Sequence, residues 1–271
     1  MYRRTFVSGV SAGVLAMPAL GQTALPLPIG IPDPKGESTL LPAVGSGPRP
    51  LIYLSHRLGG VPEMGRQNDA PWIMFGAMQR AGWTILRSAD AGPETYGNDQ
   101  ALAYCARMCG KAIERMDWDG RLFSLGISMG AIPALLMTWR GLFPHPVRAV
   151  ATVAGVMNLT KIHASPSDRR ARIDAAYNVT QHFPFEQASK GHDPLNDFHS
   201  FSENRIPLLA VASSDDALLP IDVHAGPMIE TSRAIGSPSE LMQISGSHIG
   251  DEHFTEQMAG RVLDFFTVHG R

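Results

Sequence analysis

The chain has 271 residues, 44% of them hydrophobic and 18% charged, with a formal net charge of -2. These values suit one globular domain with a large core and argue against general disorder. A near-neutral chain argues against nucleic acid as the main partner, since phosphate binding wants a basic face, and after the N-terminus no apolar run reaches the roughly 18 residues needed to span a bilayer.

Residues 1–24 read as an export signal. Arg3 and Arg4 precede Thr5 and Phe6, a mild apolar run follows from Val7 to Leu20, and small residues lie at Ala19, Gly21 and Ala24. The start is similar to a twin-arginine signal and predicts a periplasmic or secreted protein. The remaining chain, 25–271, reads as one domain.

From Leu25 to Pro50 the chain is rich in Pro and Gly and reads as an extended lead-in. Leu51–Leu54 is a short apolar run, hence a buried strand. Trp72–Ala81 has helical spacing and Gly82 closes it. Strand Trp83–Leu86 follows, then a loop, then a helix capped by Asn98 or Asp99 and running to about Met116. Further strands are predicted at Arg121–Gly126, Val147–Val156, Ile206–Ser213 and Leu241–Ile244. Helices are predicted after Ser128 to about Trp139, after the fifth strand through Ile229, and over Phe254–Val268. Nearly all-apolar strands alternating with helices indicate a mostly parallel sheet covered on both faces. The polar segment from about 160 to 204 breaks the alternation and reads as a small helical cap insertion. Cys105 and Cys109 lie four apart on a helix, where Cβ directions suit a bridge poorly; they read as two half-buried thiols.

The chemistry centres on Gly126–Ile127–Ser128–Met129–Gly130. A strand that ends at a serine between glycines, followed at once by a helix, can expose a hydroxyl on a tight turn. In an open parallel sheet, ligands bind beyond the carboxyl ends of the strands, so an acid and a histidine are expected after later strands. Ser213–Ser214–Asp215–Asp216 follows one and Ser245–Gly246–Ser247–His248 the next. Asp216, four before Pro220, is the preferred acid, with Asp215 the second choice; His248 is the preferred base, with His253 the second. Ser128 would then be the nucleophile, His248 its general base and Asp216 the group that orients the imidazole. The oxyanion would be bound by the backbone N–H of Met129 and by that of Arg57 or Leu58. No cofactor or metal is called for.

Several further motifs occur in matching order: H-x-x-G-G at His56 to Gly60, G-W at Gly82–Trp83, Y-G-N-D at Tyr96 to Asp99, H-D-P-L at His192 to Leu195, D-x-x-x-P at Asp216 to Pro220 and G-S-H-x-G-D at Gly246 to Asp251. With G-x-S-M-G, they make the chain resemble the α/β-hydrolase superfamily, in particular small bacterial serine esterases. The resemblance implies the triad Ser128, Asp216, His248 and hydrolysis of small carboxylic esters. Amide or peptide cleavage by the same groups, or a non-catalytic binding role on the same fold, are the alternatives. Family loops read H-G-x-G-G, and Arg57 replaces the first glycine. That change alters the oxyanion donor, sets a guanidinium at the pocket mouth for an anionic substrate, or leaves a solvent-facing side chain. The short stretch before Leu51 implies a sheet with reduced N-terminal strands.

Overall fold

The computed structural model describes residues 24–59, 70–165, 168–201 and 205–270; the export-signal reading falls almost wholly outside them. Eight strands form one sheet in the order β1-β2-β4-β3-β5-β6-β7-β8. They are β1 Ile29–Ile31, β2 Ser38–Leu41, β3 Arg49–Ser55, β4 Thr84–Arg87, β5 Trp118–Ile127, β6 Val147–Val153, β7 Leu208–Ser213 and β8 Ser239–Ile244. Strands β3 to β8 pair parallel, whereas β1 and β2 run antiparallel, β2 pairing with β4 through Thr39–Arg87, Leu40–Leu86 and Leu41–Ile85. The lead-in expected over Leu25–Pro50 is therefore corrected. It carries the first two strands in shortened form, three and four residues long. They use their pairing to cover the open edge of β4, a protection that an edge strand needs.

Helices cover both faces. Helices α1 (Ala70–Arg80) and α8 (Glu256–His269) pack on one side against Ile52, Leu54, Phe123, Leu125 and Val211. Helices α2 (Asp99–Ile113), α3 (Ala131–Trp139) and α7 (Ala225–Ala234) pack on the other, against Leu51, Tyr53, Leu122, Val150 and Leu208. Alternate residues of one strand thus serve opposite faces, and each fully buried Leu, Ile or Phe contributes about 1.5–3 kcal/mol. Helix α2 shows how local sequence specifies an element. The Asn98 side chain accepts from the Ala101 N–H at 2.9 Å, and Leu102, Cys105, Cys109 and Ala112 recur on the buried face. Both cysteines are unbridged and fully buried, not half-buried; burial pushes the Cys109 thiol up to about 12.

Some boundaries move for physical reasons. Strand β6 stops at Val153 because Ala154 turns to φ +46°, and β7 starts at Leu208, after Pro207, which has no N–H for a sheet ladder. Phe254 belongs to a 3₁₀ turn before α8. Between β6 and β7 lie three short helices, α4 (Leu159–Ala164), α5 (Asp168–Ala176) and α6 (Phe185–Ala188), which make the cap. No described helix is long and apolar enough to cross a membrane.

Candidate active site

The strand order reverses direction beside β3. From β3 the chain adds β4 on one side, then returns to lay β5, β6, β7 and β8 on the other. Such a switch point opens a crevice beyond the carboxyl ends of the two central strands. Here those ends carry His56–Arg57–Leu58 after β3 and Ser128 after β5.

Ser128 has φ +51°, a left-handed conformation rare outside glycine. Its neighbours make that turn possible. A Cβ at Gly126 would lie 2.5 Å from the Gly130 carbonyl oxygen, and a Cβ at Gly130 would lie 2.4 Å from that of Ser55. Both glycines are there for close backbone approach, which lets α3 start directly after the turn and presses its first residues onto the end of β3. Pro133 falls in the first turn of α3, where its missing N–H matters little.

Ser128 is buried, 7% exposed, and its Oγ lies 2.9 Å from His248 Nε2. His248 Nδ1 in turn lies 2.7 Å from Asp216 Oδ2. Asp216 Oδ1 accepts from the Leu218 and Leu219 N–H groups, each at 2.9 Å. Burial pushes the Asp216 carboxyl up. The hydrogen bond from His248, the Leu219 N–H, the charge of His248 and the Leu218 N–H together outweigh that and hold it below its usual range. An ionised, fixed acceptor therefore faces the imidazole and keeps its other nitrogen directed at the serine.

The two second choices lie elsewhere. Asp215 Oδ2 accepts from the Gly246 N–H at 2.9 Å and Ser213 Oγ donates to the Gly246 carbonyl, so both tie the β7 and β8 loops together. His253 is fully buried in the turn before α8; neither ring nitrogen has a hydrogen-bond partner among the described residues, and burial lowers its pKa. At the expected oxyanion donors, none of the turn, loop or cap hydrogen bonds among the described residues uses the N–H of Met129, Arg57 or Leu58. Arg57 is half-buried and borders a small cleft with His56, Leu54, Phe75, Arg87 and Phe254. Ile127 lines that cleft; Ser128 itself does not.

Two polar residues near the site carry no motif signal. His224 is buried, and its Nδ1 accepts from the Met157 and Asn158 N–H groups at 3.4 and 3.2 Å. Burial lowers its pKa to about 4, with Asp193 and Asp216 opposing. Asp90, the third residue after β4, is buried and receives donors from β3 and from α2; its place just beyond a strand's carboxyl end is the one hint in the sequence. No group of three His, Cys, Asp or Glu side chains among the described residues is arranged to hold a metal.

No family model matches this chain, and no curated protein does at a significant level. Solved structures do. An S-formylglutathione hydrolase from Agrobacterium tumefaciens is similar over 86% of this chain and 90% of its own, at 11% identity and a TM-score of 0.65. Fluorophosphonate-binding serine hydrolase F from Staphylococcus aureus is similar over 88% and 97%, at 9% identity and 0.68. The acylaminoacyl peptidase of Pyrococcus horikoshii matches at 14% identity and 0.65, and this chain spans only 39% of its length. With a mostly parallel eight-stranded sheet, helices on both faces and these neighbours, the chain has the α/β-hydrolase fold.

Proposed function

We propose that the protein is a serine hydrolase that cleaves small carboxylic esters through an acyl-enzyme. The observation that carries this reading is the unbroken chain from Ser128 Oγ to His248 Nε2, at 2.9 Å, and from His248 Nδ1 to Asp216 Oδ2, at 2.7 Å. Ser128 Oγ attacks the ester carbonyl carbon as its proton passes to His248 Nε2. The resulting oxyanion is held by the N–H of Met129 and that of Arg57 or Leu58. The carbon–oxygen bond to the leaving alcohol then breaks, the imidazolium protonates that alcohol, and the acyl group stays on Ser128. Water, deprotonated by His248, attacks the acyl carbon and returns the serine and the carboxylic acid. Asp216 stabilises the imidazolium in both halves. The export-signal sequence at 1–24 supports a periplasmic or secreted location.

The test is labelling with a fluorophosphonate probe, alongside hydrolysis of p-nitrophenyl esters of increasing acyl length, matched acidic half-esters and an anilide. Wild type should label and turn over at least one short ester, and Ser128→Ala and His248→Ala should lose about 10⁴-fold in kcat/KM. A wild type that neither labels nor hydrolyses any member would overturn the reading. Turnover of the anilide alone would replace ester with amide cleavage.

A further inference from the structure

The start of the loop after β3, residues 56–59, must offer unsatisfied N–H groups to an oxyanion, yet irregular backbone has no rigidity of its own. Three contacts hold it. At its start, the buried Asp90 carboxyl accepts from the Ser55 hydroxyl at 2.5 Å and from the His56 N–H at 3.3 Å, both through Oδ2. Beneath it, Gly130 lies against the Ser55 and His56 carbonyls so closely that a Cβ there would come within 2.4 and 2.6 Å of them. Further along, the Gly59 N–H donates to the Pro93 carbonyl at 3.1 Å. Two of the three contacts come from the segment that follows β4, the parallel neighbour of β3.

Asp90 is itself held. Its other oxygen, Oδ1, accepts from the Tyr53 hydroxyl at 2.9 Å and the Cys105 thiol at 3.3 Å, and its own N–H donates to Ser88 Oγ at 3.1 Å. Every group hydrogen-bonded to the carboxyl is a donor, and the His56 ring Nε2 lies 3.6 Å from Oδ2. Burial, with Asp90 adding, pushes the Tyr53 hydroxyl and the Cys105 thiol well above their usual ranges, so both keep their protons at any working pH. Asp90 also sits at φ +49°, where a β-branched or bulky residue would be strained but Asp and Asn are tolerated.

We infer that Asp90 is the positioning residue of the oxyanion hole: its carboxyl fixes the end of β3 so that the Arg57 and Leu58 N–H groups stay directed at the developing oxyanion. The inference rests on the acyl-transfer reading of Ser128. Asp90 touches neither the serine nor the His248–Asp216 pair in the hydrogen-bond network, so its effect is on the charge of the tetrahedral species and not on proton transfer.

Asp90→Asn tests this. Asn keeps the size and the left-handed backbone but sets an amide N–H against donors. With a short-chain p-nitrophenyl ester, kcat should fall about 10–100-fold while KM changes less than about threefold, because the lost interaction is made only in the transition state. The midpoint of the kcat/KM pH profile should not move, and backbone amide exchange at His56 and Gly59, whose N–H groups are hydrogen-bonded in this segment, should quicken. Ser55→Ala, which removes one donor to the same oxygen, should act in the same direction by about fivefold and serves if Asp90→Asn does not fold. A folded variant with kcat within twofold of wild type would overturn the inference. So would a loss of kcat accompanied by a shifted pH midpoint, which would route the effect through His248. If wild type proves inert towards every ester and the probe, the hydrolase reading fails, and unchanged amide exchange in Asp90→Asn would separately refute the positioning role.

Discussion

Ser128 adopts a backbone conformation that an L residue with a side chain reaches at about 1–2 kcal/mol of strain. The strain is sustained because Gly126 and Gly130 allow backbone to pack on backbone on both sides of it. This separates the effects of two substitutions that both remove the hydroxyl. Ser128→Gly removes the strain, whereas Ser128→Ala retains it. In denaturant titrations Ser128→Gly should therefore be the more stable by about 1 kcal/mol, although glycine enlarges the entropy of the unfolded chain. Equal midpoints would mean that the turn is not strained. At the same scale, Asp215 and Asp216 show how adjacent identical residues diverge: one closes a loop onto Gly246, the other meets an imidazole.

The cap is an element docked at several points. Tyr177 donates to the Tyr96 carbonyl at 2.7 Å, Asn98 donates to the Ala176 carbonyl at 2.8 Å, and Arg172 pairs with Glu94. Inside the insertion, Asp193 of the H-D-P-L motif accepts from the Thr160 hydroxyl and N–H and from Asn196, drawing its two ends together. His224, just before α7, holds the segment that leads into the cap by accepting from Met157 and Asn158. It can accept only while neutral, and the fold keeps it neutral down to about pH 4 against an ordinary value of 6.5. In the unfolded chain it takes a proton near pH 6.5. Stability is thus fully present above that pH and is lost as pH falls towards 4, by up to about 3 kcal/mol from this group. His224→Gln keeps an acceptor without the titration. Unfolding free energies measured from pH 7.5 to 4.5 should therefore fall less steeply for the variant than for wild type, and parallel curves would rule the explanation out.

For the whole molecule, the sheet is continuous from β1 to β8, and among the described residues its β4 edge is closed by the short β1–β2 pair. A chain beginning at Pro42 should expose the edge of β4. It should elute as aggregate or unfold without a cooperative transition, whereas one beginning at Ala24 should be monodisperse on size-exclusion chromatography. Cooperative unfolding of the shorter chain would show that the edge needs no cover.

How much was legible follows from range. Leu51–Leu54, Leu122–Gly126 and Leu208–Ala212 read as strands because burial on both faces makes them continuously apolar, α1 and α8 read as helices because one face repeats at helical spacing, and α2 reads as one from its capping residue. Strands β1 and β2 were not legible. Three and four residues among prolines and glycines carry no usable period, and β2 is a strand because β4, more than forty positions on, pairs with it. By itself the sequence determined the alternation of strands and helices and the order of serine, acid and histidine in loops after strands, since both depend on near neighbours along the chain. Only the tertiary structure decided that His248 rather than His253 lies against Ser128, that Asp216 rather than Asp215 lies against His248, and that Asp90 bonds to Ser55 and His56 beside them. Those contacts join residues up to 120 positions apart, and sheet register and close glycine packing set them, not any local pattern.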